Sequence, residues 1–270
     1  MGAIKRPAPF VLVASGHGTL ILNRNDYHMI DAVRGYGVGH DILNTSFYNP
    51  DEVLNVLYLL SLRKEAFGEG LVAVDCGANI GVHTVEWAKF LHGWGRVIAI
   101  EAQERIFYAL AGNIAINNCF NARAINAAVG AEIGSIAVPQ PDYTKPASFG
   151  SFELRPSATN EDFGQTVDRS AANCVTVPLI TIDSLKLERL DFLKIDVEGM
   201  EFDVIKGAAG SIGKFHPQML IEHIKSDKPA LLRVLGEAGY AHFELGINLL
   251  AVHKSDPALG RLQVPAPSHA

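Results

Sequence analysis

The chain is short of cysteine, carries no excess of basic charge and contains no long apolar run. Its three cysteines, Cys76, Cys119 and Cys174, cannot all pair, and no two stand at a metal-ligating spacing. That excludes a disulfide framework and a thiolate zinc site. With no stretch that reads as a signal peptide, the cysteine usage leads us to expect a reducing cytoplasm. Lys and Arg number 23 against 29 Asp and Glu, a net charge of -6, so the basic footprint that phosphate contacts require is missing. No apolar stretch reaches the roughly 20 residues of a membrane helix. Arg6 stands where a myristoylation signal needs serine or threonine. These absences argue against a nucleic-acid partner and against membrane attachment.

What is present is enough for a full core. At 270 residues and 48% hydrophobic content, one enlarged domain is expected rather than two. Residues 10–14 and 20–23 flank Ser15-Gly16-His17-Gly18 and predict a hairpin. Asn49-Pro50-Asp51-Glu52 predicts a helix start, with a cap, a proline in the first turn and acids at the positive dipole end. Val53, Leu57 and Leu60 then recur at helical spacing, as do Leu54 and Tyr58, up to Gly68 and Gly70. From residue 71 strands and helices alternate: strand 71–76, helix 82–91, strand 97–100, helix 104–117, strand 124–128. After an irregular excursion at about 131–175, order returns at 174–182, then strand 192–197, helix 201–208, strand 218–222, helix 228–237 and a closing strand 248–253. That cadence predicts an α/β fold with a parallel sheet covered by helices on both faces. The excursion is rich in Pro, Ser, Thr, Asn and Gly, too long for an ordinary connection. Its Ser148-Phe149-Gly150-Ser151-Phe152 is either a lid or a surface loop packing its own aromatics.

Two strand ends carry the chemistry, and in an open parallel sheet such ends lie along one ligand-binding edge. The first strand runs into Asp75-Cys76-Gly77-Ala78-Asn79-Ile80-Gly81, where Gly77 and Gly81 allow a tight turn with a ligand against it. Aligned on the dinucleotide fingerprint G-x-G-x-x-G, Asn79 and Val82 replace the second and third glycines, which disfavours a pyrophosphate cradle. Glu101, at the tip of the next strand, is placed to accept hydrogen bonds from both hydroxyls of a ribose. At the second end, Lys194, Asp196 and Glu198 alternate and so share one face, which is expensive on an apolar strand unless the charges pair or meet water. A lysine-carboxylate pair with a helix cap from Glu198 is the structural alternative. Glu222-His223, at the end of the following strand, adds a second acid and a candidate base. The other histidines, His83 among them, form no ligand pattern and read as surface or core residues.

The blocks V-D-C-G-A-N-I-G, E-A-Q-E and L-K-I-D-V-E-G-M-E resemble the FkbM family of S-adenosylmethionine-dependent methyltransferases, over about residues 70–253. The resemblance implies a class I methyltransferase fold, a Rossmann-like three-layer sandwich with a seven-stranded mostly parallel sheet and an antiparallel last strand. It implies S-adenosyl-L-methionine as cofactor, with Asp75, Gly77, Asn79 and Gly81 at the methionine moiety and Glu101 at the ribose. Asn126 and Ala127, at the third strand end, fall near the adenine. Where the family commonly has proline after the ribose acid, this chain has Ala102.

Under that resemblance, methyl transfer is a displacement at an already activated carbon. Most help then comes from alignment, up to about 7–11 kcal/mol. A hydroxyl acceptor also needs a base, typically worth about 10²–10⁴-fold. Asp196 is the first candidate, with Glu198, Lys194, Glu222 and His223 beside it. No metal is assigned, because nothing in the spacing demands one, although Asp196, Glu198 and Glu222 offer the oxygens that Mg²⁺ or Ca²⁺ take. The expected partner is a small acceptor, a sugar, polyketide or similar metabolite. Residues 1–69 are expected to form an acceptor-side extension to a methyltransferase domain at 70–270. A NAD(P)-dependent oxidoreductase and a non-catalytic nucleoside-binding module are the alternatives.

Overall fold

A computed structural model describes residues 6–155 and 162–262. Residues 1–5, on which most of the myristoylation reading falls, and 156–161 of the excursion lie outside the described residues. Numbered along the chain, the strands of the central sheet are β1 (Leu71–Cys76), β2 (Gly95–Glu101), β3 (Ala122–Asn126), β4 (Phe192–Ile195), β5 (Gln218–Glu222), β6 (Tyr240–Leu245) and β7 (Asn248–His253). They lie in the order β6-β7-β5-β4-β1-β2-β3, and β7 alone runs against the others. The chain proceeds outward from β1 in one direction and then from β4 in the other. The β1/β4 seam is therefore a topological switch point, where open α/β sheets bind ligands.

Alternate residues of each strand feed two separate cores. Val72, Val74 and Cys76 face Val204, Ile205, Leu231 and Leu235 of the helices Glu201–Gly207 and Lys228–Glu237. Leu71 and Ala73 face Val56, Leu60, Val85 and Trp87 of the helices Pro50–Phe67 and Val82–Phe90. Burial on both faces is why these strands read as unbroken apolar runs. The result is a three-layer sandwich.

Several expectations need correction. The 248–253 segment does not close the sheet: β7 is covered by β6, whose half-exposed alternation left too weak a signal to read. The 174–182 segment, where order returns, pairs outside the central sheet. Its strand, Cys174–Ile180, sits between Ala128–Val129 and Gly134–Pro139 in a separate three-stranded sheet, so the excursion begins and ends as paired backbone. The strand expected at 124–128 is split between the two sheets. In helix Pro50–Phe67, Leu54 and Tyr58 point outward, and Val56, Leu59 and Leu62 take the buried face. Asn49 has a left-handed backbone and its side chain makes no cap hydrogen bond.

The opposite end of the sheet is locked by buried charge. Arg63 donates to Asp256 Oδ2 at 2.9 Å and to Asp191 Oδ1 at 3.4 Å, while Arg189 and the Val72 N–H also bind Asp191. This ties helix Pro50–Phe67 to the start of β4 and holds the helix's first turn at the site. Arg63→Ala leaves Asp256 buried without a cation, which typically costs about 3–5 kcal/mol. Urea melts should show that loss, whereas a cost within about 0.5 kcal/mol, as for an ordinary surface change, would mean the pair holds nothing together.

Candidate functional site

A cavity of about 550 Å³ opens at the carboxyl ends of β1, β2, β4 and β5. Its floor on one side is the turn after β1. Gly77 has φ +75°, and a Cβ there would lie 1.6 Å from the Asp196 carbonyl oxygen. At Gly81, φ is +88° and a Cβ would meet Leu110 at 2.5 Å. Both glycines are thus imposed by neighbouring protein, not only by a ligand. Gly77, Ala78 and Asn79 line the cavity, whereas Gly81 and Asp75 do not. Asp75 is buried under the floor, where it accepts from Thr84 Oγ1 at 2.6 Å and stands beside Lys194 in strand register. Asp75 and Gly81 thus stand behind the lining residues and shape the turn from there.

The turn spends its own donors. Gly77 N–H and Ala78 N–H both donate to Ile100 O, and Asn79 N–H donates to Glu101 Oε2. Ile80 N–H is taken by Asn79 Oδ1, and Gly81 N–H by Ala78 O. Five consecutive amides of the turn are satisfied internally, so the turn itself, as distinct from the helix start at Val82, has no donors to spare for a phosphate. Glu101 accepts from Asn79 on one oxygen and from Gln103 N–H, at 2.7 Å, on the other, which fixes the carboxylate at the cavity edge. Burial drives its carboxyl from the ordinary 4.5 up to about 7, against the pull of those two amides. Ala127 lines the cavity, but Asn126 does not: its amide donates to Glu101 O and Ala102 O and braces the strand end.

The acidic end forms differently from the strand alternation expected. β4 stops at Ile195, and Glu198 (φ +55°) enters the cavity from a turn. Lys194 donates to Asp196 Oδ2 at 2.6 Å, and Lys225 donates to Glu198 Oε2 at 2.5 Å. Burial opposes the Lys194 ammonium, but Asp196, Asp75 and Glu52 outweigh it and hold its proton firmly. Burial, then Asp196 and Glu222, push the Glu198 carboxyl well above its usual range. Burial and Asp196 raise Glu222 to about 8. Glu198 does not cap the following helix, whose N-cap is Met200 with no side-chain cap hydrogen bond; Glu201 instead braces the turn, accepting from Val197 N–H and Gly199 N–H and from Ser226 Oγ. Lys194, Asp196, Glu198 and Glu222 all line the cavity; His223, one residue past the end of β5, does not.

The remaining walls come from residues 1–69, the first turn of helix Val82–Phe90 and the excursion. Glu52 turns inward to bind His83 Nε2 at 3.0 Å and Asn248 Nδ2 at 2.7 Å, so His83 is a cavity residue after all. Tyr48 also lines the cavity, with its hydroxyl proton held firmly by burial and by the Asp196 charge. The Ser148–Phe152 stretch does pack the excursion's own aromatics, Phe149 on Tyr143 at 4.8 Å and Phe152 on Phe163 at 5.0 Å, but it does so in the core, not on the surface. Phe149 is fully buried against Leu20, Leu22 and Ile80. Its N–H donates to Asp26 Oδ1 at 2.9 Å and its carbonyl accepts from Gln103 Nε2 at 2.8 Å. In the sequence, residues 1–69 and the excursion pointed to the acceptor side only as segments; Tyr48, Glu52 and His83 carried no individual signal, and the acids of Asn49-Pro50-Asp51-Glu52 read as dipole chemistry.

Strand order, switch point and floor turn together define a class I methyltransferase fold. Residues 75–241 match the methyltransferase FkbM domain, and the chain belongs to that family. Among solved structures it is similar to the methyltransferase FkbM of Methylobacillus flagellatus KT, with 16% identity over 68% of this chain and a TM-score of 0.46. The chain spans only 44% of that protein's length. It is also similar to the precorrin-6y C5,15-methyltransferase of Geobacter metallireducens GS-15, at 15% identity over 77% of this chain and 89% of that one, TM-score 0.42. A third is the N-terminal domain of human METTL16 in complex with SAH, at 15% over 76% and 70%, TM-score 0.42. No curated protein matches the sequence significantly. Among the described residues, no helix is long and apolar enough to cross a membrane.

Proposed function

We propose that this protein is an S-adenosylmethionine-dependent O-methyltransferase acting on a hydroxyl of a sugar or secondary metabolite. The observation that carries the cofactor assignment is the floor turn with every amide from Gly77 to Gly81 spent. A pyrophosphate needs those donors; a nucleoside bearing a sulfonium and no phosphate does not. Glu101 at the tip of β2 would hold the ribose hydroxyls, and Ala127 would border the base. When bound, the cofactor supplies a methyl group already activated on sulfur. The chain's part is to exclude water, align an acceptor oxygen and take its proton, for which Asp196 is the first candidate. Residues 1–69 and the excursion would form the acceptor half, a reading supported by Tyr48, Glu52, Ser148 and Phe152 in the cavity wall.

Thermal stabilisation by S-adenosylhomocysteine and not by NAD or NADP is the expected result, because a ligand of the folded state raises stability by mass action. A shift with NAD alone would replace this reading with the oxidoreductase. Methyl-labelled cofactor offered to a panel of polyhydroxylated acceptors then tests turnover; stabilisation without transfer to any of them would favour a binding module.

Glu101 sets a pH dependence. If the ionised carboxylate grips the ribose, S-adenosylhomocysteine affinity should rise as pH climbs through about 7, approaching tenfold per unit below it. Protein stability without ligand has the opposite sign. The folded carboxyl keeps a proton that the unfolded chain releases between 4.5 and about 7, so this group's contribution falls across that window. Calorimetric titrations from pH 5.5 to pH 8.5 read the first effect; flat affinity would take Glu101 off the ribose.

A further inference from the structure

The acidic end contains more carboxylate than its lysines can satisfy. Oxygens of Asp196, Glu198 and Glu222 all lie within 4.8 Å of one another, and the three side chains line one cavity. Lys194 engages only Oδ2 of Asp196, and Lys225 engages Oε2 of Glu198. Neither lysine is hydrogen-bonded to Glu222. That residue is 8% exposed, and its Oε2 is buried with no hydrogen-bond partner. A buried carboxylate oxygen without a donor costs several times what a paired one does, and such an orphan calls for a ligand to explain it.

We infer that Asp196, Glu198 and Glu222 form a binding site for a divalent, oxygen-preferring cation of the Mg²⁺ or Mn²⁺ type. The donor set is all carboxylate oxygen, which suits hard cations and offers nothing to a thiolate- or imidazole-seeking metal. The cluster faces the cavity, so coordination positions remain for water and for oxygens of the acceptor. An amine ligand would be satisfied by one or two carboxylates, and Lys194 and Lys225 already fill that role. The site lies at the ends of β4 and β5, across the β1/β4 seam from Glu101 on β2. A cation there would position a hydroxyl, or two vicinal ones, without touching the nucleoside. The acceptor part of this inference rests on the proposed function; cation binding does not.

The test uses the full chain, stripped with EDTA and dialysed, titrated with MnCl₂ and followed by calorimetry and by the Mn²⁺ paramagnetic resonance signal. One saturable site per chain is expected, and Glu222→Gln should weaken it by well over about tenfold, the smallest loss typical of removing even an outer-shell partner. Glu198→Gln gives an independent reading should Glu222→Gln fail to fold. An anomalous-difference peak between the three carboxylates in Mn²⁺-soaked crystals would place the ion directly. Absence of saturable binding, or equal affinity in both variants, would overturn the site. S-adenosylhomocysteine affinity, measured on the same samples, should be unchanged by either substitution. Intact Mn²⁺ binding with no S-adenosylhomocysteine binding would sink the proposed function and leave the cation site standing.

Discussion

Gly77→Ala should abolish the native junction between β1 and β4. The added methyl would sit 1.6 Å from the Asp196 carbonyl oxygen, a backbone atom that cannot swing aside. The two strand ends are also bonded there, since Asp196 N–H donates to Cys76 O at 3.1 Å. Relief of the clash therefore means parting the seam that carries both halves of the site. The left-handed backbone alone costs an alanine about 1–2 kcal/mol; with the clash the total should exceed about 4 kcal/mol, in the range reserved for a broken core or strained backbone. Gly93→Ala is the control, because Gly93 has φ +82° with nothing within 4 Å of its absent Cβ. Urea denaturation of the pair separates strain from collision. If Gly77→Ala were as mild as Gly93→Ala, the close approach of Asp196 to the turn would be wrong, and with it the geometry of the cavity.

Asp196→Asn is expected to lower methyl transfer by about 10²–10⁴-fold, the usual worth of a positioned base, while S-adenosylhomocysteine binds as before. The amide keeps the shape and an acceptor for the Lys194 ammonium, now 2.6 Å from Oδ2, so the fold should tolerate it. Loss of the carboxylate removes the proton acceptor and leaves Lys194 facing Asp75 and Glu52. Single-turnover kinetics on any acceptor that the wild-type chain methylates reads the step directly. Unchanged turnover would assign Asp196 to structure and pass the role to Glu198 or Glu222.

The sheet was readable in advance because strands buried on both faces are written as apolar runs: β1 and β5 match their expected bounds residue for residue. β6 was missed because an edge strand buries half of its residues, and short alternations resemble loops. Among site residues, Glu101, Asp196 and Glu222 announce themselves as acids at strand ends. Asn126 and His223 stand at strand ends too, yet one braces the backbone and the other does not line the cavity, a distinction that depends on strand-end geometry. Tyr48, Glu52 and His83 were hidden for a different reason. Tyr48 and Glu52 come from the start of helix Pro50–Phe67, whose packing, locked by Arg63, aims them inward, while His83 opens the helix Val82–Phe90 just past the floor turn and is marked out only by its pairing with Glu52. Gly77 is the instructive case. Its conformation was legible, but the cause lies in a carbonyl of Asp196, more than a hundred residues away in the chain.

The most direct test of the account is a crystal structure of the full chain grown with S-adenosylhomocysteine. The ligand should lie over Gly77–Asn79 with both ribose hydroxyls on the Glu101 carboxylate and its sulfur directed toward Asp196. Density for the nucleoside elsewhere, or a ribose held by groups other than Glu101, would contradict it.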